Sequence, residues 1–182
     1  MLNKNTIDEI IHFWFVETSL KQKFMQDIEY DKLVISRFLK VYDDIIAGET
    51  EKWRSIPEGR LAEIIVLDQF SRNMFRGDKK SFATDELALS LAKEAVEIGM
   101  DKLLPREYQA FIYMPYMHSE SIDVHKDALD IFTEYGDKTK LEFEIIHKNI
   151  IDRFGRYPHR NEILGRESTP EEKDFLQSHL GF

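Results

Sequence analysis

Residues 58–77 read EGRLAEIIVLDQFSRNMFRG, and this stretch decides the fold. At 100° per residue, its apolar side chains spread over almost the whole circumference of a helix. A helix that is apolar on nearly every side is buried, so we expect one from about Glu58 to Phe75 at the centre of a helical protein. Gly77 is expected to end it.

A second central helix is predicted from residues 105–118, which read PREYQAFIYMPYMH. Apolar and amphipathic residues occupy nearly every side of this helix as well. Pro115 lies inside it, lacks a backbone N–H and is expected to kink or end the helix. We expect the central helices to share one core with a later helix, through Leu67, Phe70, Phe111, Tyr113, Ile146 and Ile150.

The rest of the chain also shows helical periodicity between scarce glycines and prolines, 8 and 5 in 182 residues. Six further helices are predicted: from Thr6 through Trp14, from about Asp27 to Ala47, from Thr84 to Gly99, from about Ile122 to Tyr135, from about Thr139 to Phe154, and from Thr169 onward. Thr6 is expected to cap the first of them. In the helix from Asp27, Leu33 is expected to lie on the apolar stripe and the charged residues to form a solvated face. The chain is therefore predicted to be all-α. Short connections favour antiparallel helix pairs, in a bundle or a stack, and the length favours one domain over residues 1–182.

The composition excludes several classes of function. The chain has no cysteine, which rules out disulfides and thiolate metal sites and favours a reducing cytoplasm. Its net charge of −9 makes nucleic acid an unfavourable partner, and no stretch is apolar enough for a membrane span or a signal peptide. We find no spacing typical of a metal site and no glycine-rich phosphate or dinucleotide loop, so we expect neither a metal nor a cofactor.

A polar patch interrupts the central helix in its C-terminal half. Asp68 and Arg72 are four residues apart on one side, and Gln69, Asn73 and Arg76 form the adjoining stripe. One interpretation is a structural ion pair between Asp68 and Arg72, with the amides satisfying nearby helix ends. The other is a ligand pocket, because one carboxylate cannot satisfy two guanidiniums.

A second polar segment is the predicted loop 153–166, which we call the arginine loop. It reads RFGRYPHRNEILGR and contains arginine but no lysine. Together with residues 67–77 it holds six of the ten arginines against two acids, a net charge of +4 in a chain of −9. Arginine suits bidentate contact with carboxylate or phosphate, whereas the structural alternative is that these side chains clamp helix ends and acidic neighbours.

Three histidines are candidates for acid–base chemistry. His147 lies on the apolar side of its helix, which is typical of a core histidine, whereas His118 follows the second central helix and His159 lies in the arginine loop. No diagnostic spacing assigns any of them a catalytic role. We expect the arginine loop to cover Asp68 and Arg72 and to form one pocket with them, and Glu120 is the nearest acid that could close it.

Three segments resemble one bacterial family of unknown function, DUF924. They are residues 67–77 (LDQFSRNMFRG), 114–120 (MPYMHSE) and 153–161 (RFGRYPHRN), and the similarity extends over nearly the whole chain. The resemblance implies an irregular α-α superhelix related to tetratricopeptide repeats, and it supplies no catalytic residues. Ser71 and His125 stand where proline and glutamine are more usual, so no role is transferred to either.

We therefore expect a cytoplasmic helical protein that binds an anionic small molecule or an acidic peptide end. The alternatives are a hydrolase or transferase acting on a phosphate- or carboxylate-bearing substrate in the same pocket, and a protein-interaction scaffold with structural arginines. The predicted ligand-binding residues are Asp68, Gln69, Arg72, Asn73, Arg76, His118, Glu120, His147, Arg153, Arg156, His159, Arg160 and Asn161.

Overall fold

A computed structural model describes residues 4–178, apart from the side chains of Phe24 and Ser178, and within this range it contains helices and no strand. The α-helices are α1 (Lys4–His12), α2 (Leu20–Phe24), α3 (Ile28–Ile46), α4 (Pro57–Ile64), α5 (Ser71–Met74), α6 (Asp85–Glu97), α7 (Arg106–Met117), α8 (Ile122–Tyr135), α9 (Lys138–Phe154) and α10 (Pro170–Ser178). Two π-helical segments continue α1 and α4, at Phe13–Glu17 and Ile65–Phe70, and short 3₁₀ turns lie at Glu51–Ser55, Lys79–Phe82, Asp101–Leu103 and Pro158–Arg160. The predicted all-α class is confirmed.

The chain folds into two compact units. Unit 1 comprises the chain up to Arg76 together with Lys80–Pro115, and unit 2 comprises Gly77–Lys79 and the chain from Tyr116 onward. The single domain over residues 1–182 and the tetratricopeptide-like superhelix stay predictions.

The core of unit 1 forms around the central helical segment, residues 57–74. α4, the π-helical segment and α5 follow one another without a break over residues 57–74 and pack against α1, α3 and α6. Phe70 is fully buried, and its ring lies 4.8 Å from that of Phe38 and 5.6 Å from those of Phe13 and Trp14, measured between centroids. The central position predicted for this segment within its core is confirmed.

A close backbone contact fixes the start of that segment. The 3₁₀ turn Glu51–Ser55 approaches Gly59 of α4 so closely that a Cβ at position 59 would overlap the carbonyl oxygen of Trp53. Glycine is therefore required here for lack of a side chain, not for a positive φ.

Unit 2 contains the antiparallel pair of α8 and α9. Gly136, at φ 69°, ends α8, and the Asp137 side chain caps α9 by accepting a hydrogen bond from the Lys140 amide. Ile150, Ile151 and Tyr157 are buried together, and Phe154 and Phe175 pack against them. The predicted cap at Thr169 is confirmed, because Thr169 and Glu172 form a capping box at the start of α10.

Four details of the sequence interpretation are wrong. Ile146 does not join a core but is 43% exposed, because the buried side of α9 carries Glu144 and His147 besides its isoleucines. Leu33 is also 43% exposed, and α3 buries Tyr30, Val34 and Asp31 instead. Thr6 lies inside α1, which already includes Lys4, so it does not cap the helix. The charged side of α3 is not wholly solvated, because Asp31 is only 8% exposed.

No helix in the described part of the chain is both long enough and apolar enough to span a bilayer.

Candidate functional site

The polar patch of the central helix begins on the π-helical segment of unit 1, at Asp68 and Gln69, and continues through α5 to Arg76. Its charged side chains pair with acids of the same unit. Asp68 is fully buried and accepts a hydrogen bond of 2.5 Å from the Gln69 amide. The Arg72 guanidinium lies 3.2 Å from the Asp68 carboxylate and 3.1 Å from that of Asp85, at the start of α6. The predicted ion pair between Asp68 and Arg72 is confirmed, and Asp85 supplies the second acid that the sequence pattern did not reveal.

Asn73 and Arg76 converge on Asp31 of α3. The Asn73 amide donates to Asp31 over 2.8 Å, and Arg76 makes two hydrogen bonds to the same carboxylate, of 2.7 and 2.9 Å. Hydrogen bonding to Asp31 raises the pKa of Arg76 above its ordinary value, and burial opposes this only in part. The expectation that Asn73 satisfies a helix end is wrong, since its partner is a carboxylate.

In unit 2, three side chains of the arginine loop pair with acids. Arg153 and Glu171 form an exposed pair at 2.7 Å, and Arg156 binds both oxygens of Glu172 at 2.7 and 2.8 Å. Arg166 binds both oxygens of Glu120 at 2.6 and 2.8 Å. These are the bidentate contacts expected of arginine, and they are made to acids of the same chain.

The two acids differ in how their charge is stabilised. Hydrogen bonding to Arg156 lowers the pKa of Glu172 to about 2. Burial disfavours ionisation of Glu120, but hydrogen bonds from Arg166 and the Tyr157 amide outweigh it and lower its pKa. Both carboxylates are therefore anionic at neutral pH and neutralise two of the loop arginines.

Tyr157, which follows Arg156 in the arginine loop, is the centre of a cluster of imidazoles. Its ring is 1% exposed, and the His125, His147 and His159 rings lie 6.4, 5.8 and 5.6 Å from it, centroid to centroid. The Arg160 guanidinium stacks on the same ring at 4.7 Å and donates a hydrogen bond to the His118 carbonyl oxygen. We call these residues the Tyr157 cluster. It brings four of the six histidines of the chain to one part of unit 2.

His125 of the Tyr157 cluster forms a fully buried acid–base pair with Glu144. Nδ1 of His125 lies 2.7 Å from Oε1 of Glu144, and both side chains have no exposed surface. Nε2 of His125 faces the Ser119 carbonyl at 2.9 Å and therefore carries a hydrogen, since a carbonyl only accepts. The Tyr157 hydroxyl donates to the Met117 carbonyl, and its oxygen lies 3.2 Å from the same nitrogen.

These contacts leave one proton to be shared between Nδ1 of His125 and Oε1 of Glu144. Desolvation raises the pKa of Glu144, and the hydrogen bond from His125 opposes that shift. The second oxygen, Oε2, is buried without a hydrogen-bond partner among the described residues. A buried carboxylate oxygen without a partner can accept a hydrogen bond from a hydroxyl group, an amide or a water molecule.

His147 is a core histidine, as predicted. Its Nδ1 donates a hydrogen bond of 2.8 Å to the carbonyl oxygen of Phe143, which lies one helical turn earlier in α9. The pKa of His147 is lowered to about 3, chiefly by desolvation and with smaller contributions from the neighbouring imidazoles. The side chain is therefore neutral at physiological pH and too weak a base for general-base catalysis near pH 7.

The structure thus separates the predicted site residues into two sets. Asp68, Gln69, Arg72, Asn73 and Arg76 belong to unit 1, whereas His118, Glu120, His147, Arg153, Arg156, His159, Arg160 and Asn161 belong to unit 2. That the two sets of residues form one ligand pocket stays a prediction. The sequence interpretation missed His125, Glu144 and Tyr157, and the one available signal was the spacing of Glu144, His147 and Ile151 along one side of α9.

Among the described residues, no group of three or more histidine and acidic side chains is arranged to hold a metal ion.

The all-helical chain matches the model of one bacterial protein family over most of its length. The model of a bacterial protein of unknown function, DUF924, matches residues 10–179, and the chain belongs to this family. A solved structure of a protein of unknown function from Agrobacterium tumefaciens is similar at 35% identity, with a TM-score of 0.91. The match covers 97% of this chain and 99% of that one. No curated protein matches the chain.

Proposed function

We propose that the protein binds an anionic group, a carboxylate or a phosphate, at the Tyr157 cluster in unit 2. The ligand is an anionic small molecule or the acidic end of a peptide. The proposal rests on how close together the cationic and imidazole side chains lie. The Arg160 guanidinium stacks on the Tyr157 ring, which the His159 ring also contacts. Arg160 also donates a hydrogen bond to the backbone carbonyl of His118. Groups that acquire like charge at close range are stabilised by an anion among them.

Access to the cluster supports this proposal. His118 and His159 are half-buried, whereas Arg160 is only 6% exposed and stacks on the Tyr157 ring. A preorganised guanidinium loses little side-chain entropy on binding, and partial burial strengthens its attraction for an anion. Glu120, the acid expected to close the site, already accepts hydrogen bonds from Arg166 and the Tyr157 amide on its two oxygens.

Thermal unfolding with inorganic phosphate, succinate and an acidic peptide as probes tests the proposal. We expect at least one probe to raise the melting temperature of the natural chain, because a ligand that binds the folded state stabilises it by mass action. Arg160→Met is expected to abolish the shift. Arg153→Met is the matched control, because Arg153 lies in the last turn of α9, shortly before Arg160 in the chain, but pairs with Glu171 at the surface.

Arg160 is buried, so its replacement can destabilise the fold, and His159→Gln provides an independent test at a half-buried position. It is expected to weaken binding while the chain stays folded. Absence of binding tighter than millimolar for every probe, or equal loss in Arg153→Met and Arg160→Met, would contradict the proposal. The first result would favour a protein-interaction scaffold in which the loop arginines are structural.

A second candidate function is hydrolysis or group transfer on a phosphate- or carboxylate-bearing substrate. The observation that favours it is the buried His125–Glu144 pair, which holds a proton beside the Tyr157 hydroxyl. A screen of ester and phosphate-ester substrates tests it. Turnover that is lost in Glu144→Gln and kept in Glu142→Gln, an exposed position on the same helix, would support catalysis.

We also propose a cytoplasmic location and the irregular α-α superhelix implied by the family resemblance. The absence of cysteine is typical of a reducing compartment, and the antiparallel α8–α9 pair is the kind of repeating unit that such a superhelix stacks. Cell fractionation tests the location, and a crystal structure tests the superhelix.

A further inference from the structure

Three aromatic rings of unit 1 surround the ammonium group of Lys23. Nζ lies 5.0 Å from the ring centroid of Trp14, 5.2 Å from that of Phe15 and 5.6 Å from that of Phe111. We call these three rings together the ring pocket. Each distance falls within the range in which a cation is attracted to the face of an aromatic ring.

The ring pocket is built by the helices and does not depend on Lys23. Trp14 is fully buried, and its ring meets those of Phe70 and Phe111 edge to face, at 5.6 and 5.5 Å. Phe15 stacks on Tyr108 at 3.8 Å and meets the edge of Phe111 at 5.3 Å. Packing in the core of unit 1 therefore keeps the three rings in position when the cation leaves.

Lys23, in contrast, is carried by a short and weakly anchored element. It lies on α2, five residues long, whose start is held by a capping box between Ser19 and Gln22. Leu20 on the same turn is 76% exposed, and Met25, which follows it, is 56% exposed. A single helical turn with exposed apolar residues has little buried area of its own, so α2 can open at low cost and carry the lysine side chain with it.

The chemistry of the walls selects the kind of cation. A ring face attracts positive charge but offers no lone pair comparable to a carboxylate oxygen for an N–H donor. A methylated ammonium spreads its charge over C–H groups, which suit ring faces and lose little hydration on burial. A compact primary ammonium such as that of lysine is strongly hydrated and is held less well.

We infer that the ring pocket is a binding site for a quaternary or methylated ammonium group, and that Lys23 is its internal occupant, which the ligand displaces. Neither the proposed anion site nor its ligand is involved, since every residue of the ring pocket belongs to unit 1. The ligand class is therefore an alkylammonium compound, free or as part of a larger molecule.

Titration with tetramethylammonium chloride tests the inference, followed by saturation-transfer NMR of the methyl signal, with sodium chloride as the ionic-strength control. The natural chain is expected to bind the cation, and Lys23→Ala to bind it about tenfold more tightly because the competing ammonium is gone. Lys21→Ala, a charge removal on the same helical turn, is the matched control and is expected to bind like the natural chain.

Two further measurements distinguish a cation site from an apolar cleft. Phe15→Leu keeps an apolar side chain but removes one ring, and in the Lys23→Ala background it is expected to weaken binding about tenfold. Choline is expected to bind and its uncharged analogue 3,3-dimethylbutan-1-ol to bind much more weakly. The inference is overturned if the natural chain binds no tetramethylammonium, if Lys21→Ala and Lys23→Ala behave alike, or if the uncharged analogue binds as well as choline.

Discussion

Glu144 and His125 form a pair with 2.7 Å between Oε1 and Nδ1, and neither side chain has any exposed surface. Removing one member leaves the other buried without its main partner. We expect His125→Ala to lower the free energy of unfolding by about 3–5 kcal/mol. Urea denaturation monitored by circular dichroism measures the loss.

The next residue provides the control for that prediction. Lys126 follows His125 on α8, and its partner Asp123 is largely exposed, as is Lys126 itself. Lys126→Ala is expected to cost much less than His125→Ala, because exposed ion pairs contribute little. Similar losses in the two variants would mean that the buried pair contributes no more than a surface pair.

The buried neutral state of His147 predicts a loss of stability in mild acid. Desolvation lowers the pKa of His147 to about 3 in the folded protein, below the ordinary value near 6.5 in an unfolded chain. Below about pH 6.5, His147 is protonated in the unfolded chain but stays neutral in the folded chain. The free energy of unfolding therefore falls by about 1 kcal/mol per pH unit toward pH 3.

The variant His147→Gln keeps a side-chain donor for the Phe143 carbonyl and does not titrate. Urea midpoints measured between pH 7.5 and pH 5 are expected to show a shallower acid slope in this variant than in the natural chain. His12→Gln, at an exposed position on α1, is expected to leave the slope unchanged. An unchanged slope in His147→Gln would show that this residue does not control the acid loss.

Gly59→Ala is expected to destabilise unit 1 strongly. The added methyl group would overlap the Trp53 carbonyl, so either the 3₁₀ turn or α4 has to move. We expect a loss of about 2 kcal/mol or more, in the range of overpacked interiors. Thermal unfolding measures it.

Gly77→Ala is the matched comparison for Gly59→Ala. At φ +79° an alanine is strained, but nothing lies within 4 Å of the added Cβ, so the expected cost is about 1 kcal/mol. A larger loss at position 77 than at position 59 would contradict the close-contact explanation for Gly59.

Asp31→Ala tests the ion-pair cluster of α3. It removes the acceptor of Asn73 and of both Arg76 hydrogen bonds, and the expected loss is about 1.5–3 kcal/mol, typical of hydrogen bonds to charged groups. Asp43→Ala changes an exposed acid of the same helix and is expected to be nearly neutral. Equal effects in urea denaturation would restore the interpretation of this side of α3 as a solvated face.

Arg156→Met tests the attachment of α10. The Arg156 guanidinium lowers the pKa of Glu172 to about 2, so the pair stabilises the fold above the ordinary glutamate pKa near 4.3 and loses that contribution as the pH falls toward 2. The variant is expected to be less stable than the natural chain at pH 7 and to differ from it less at pH 3. A constant difference at both pH values in chemical denaturation would contradict ionic pairing as the cause.

Most of the helices were predictable because their signals are local. Asp27 caps α3, Gly136 ends α8 in the left-handed conformation and Thr169 opens α10, as the residue types indicated. The π-helical segments were not predictable, because one extra residue in a helical turn leaves no clear trace in the periodicity of an already apolar stretch. Within the candidate site, the residue types pointed to Arg160 and His159 but not to the tyrosine between Arg156 and Pro158 on which they pack.

The sequence by itself determined the all-α class, most helix ends and the two polar segments, since caps, periodicity and charge depend on residues close in the chain. Only the tertiary structure decided which acid neutralises which arginine: Asp31 for Arg76, 45 positions away, and Glu120 for Arg166, 46 positions away. It also decided that α9 turns Glu144 and His147 inward and leaves Ile146 outside. The physical reason is that a buried polar group is stable when a distant partner is present, and local patterns do not reveal that partner.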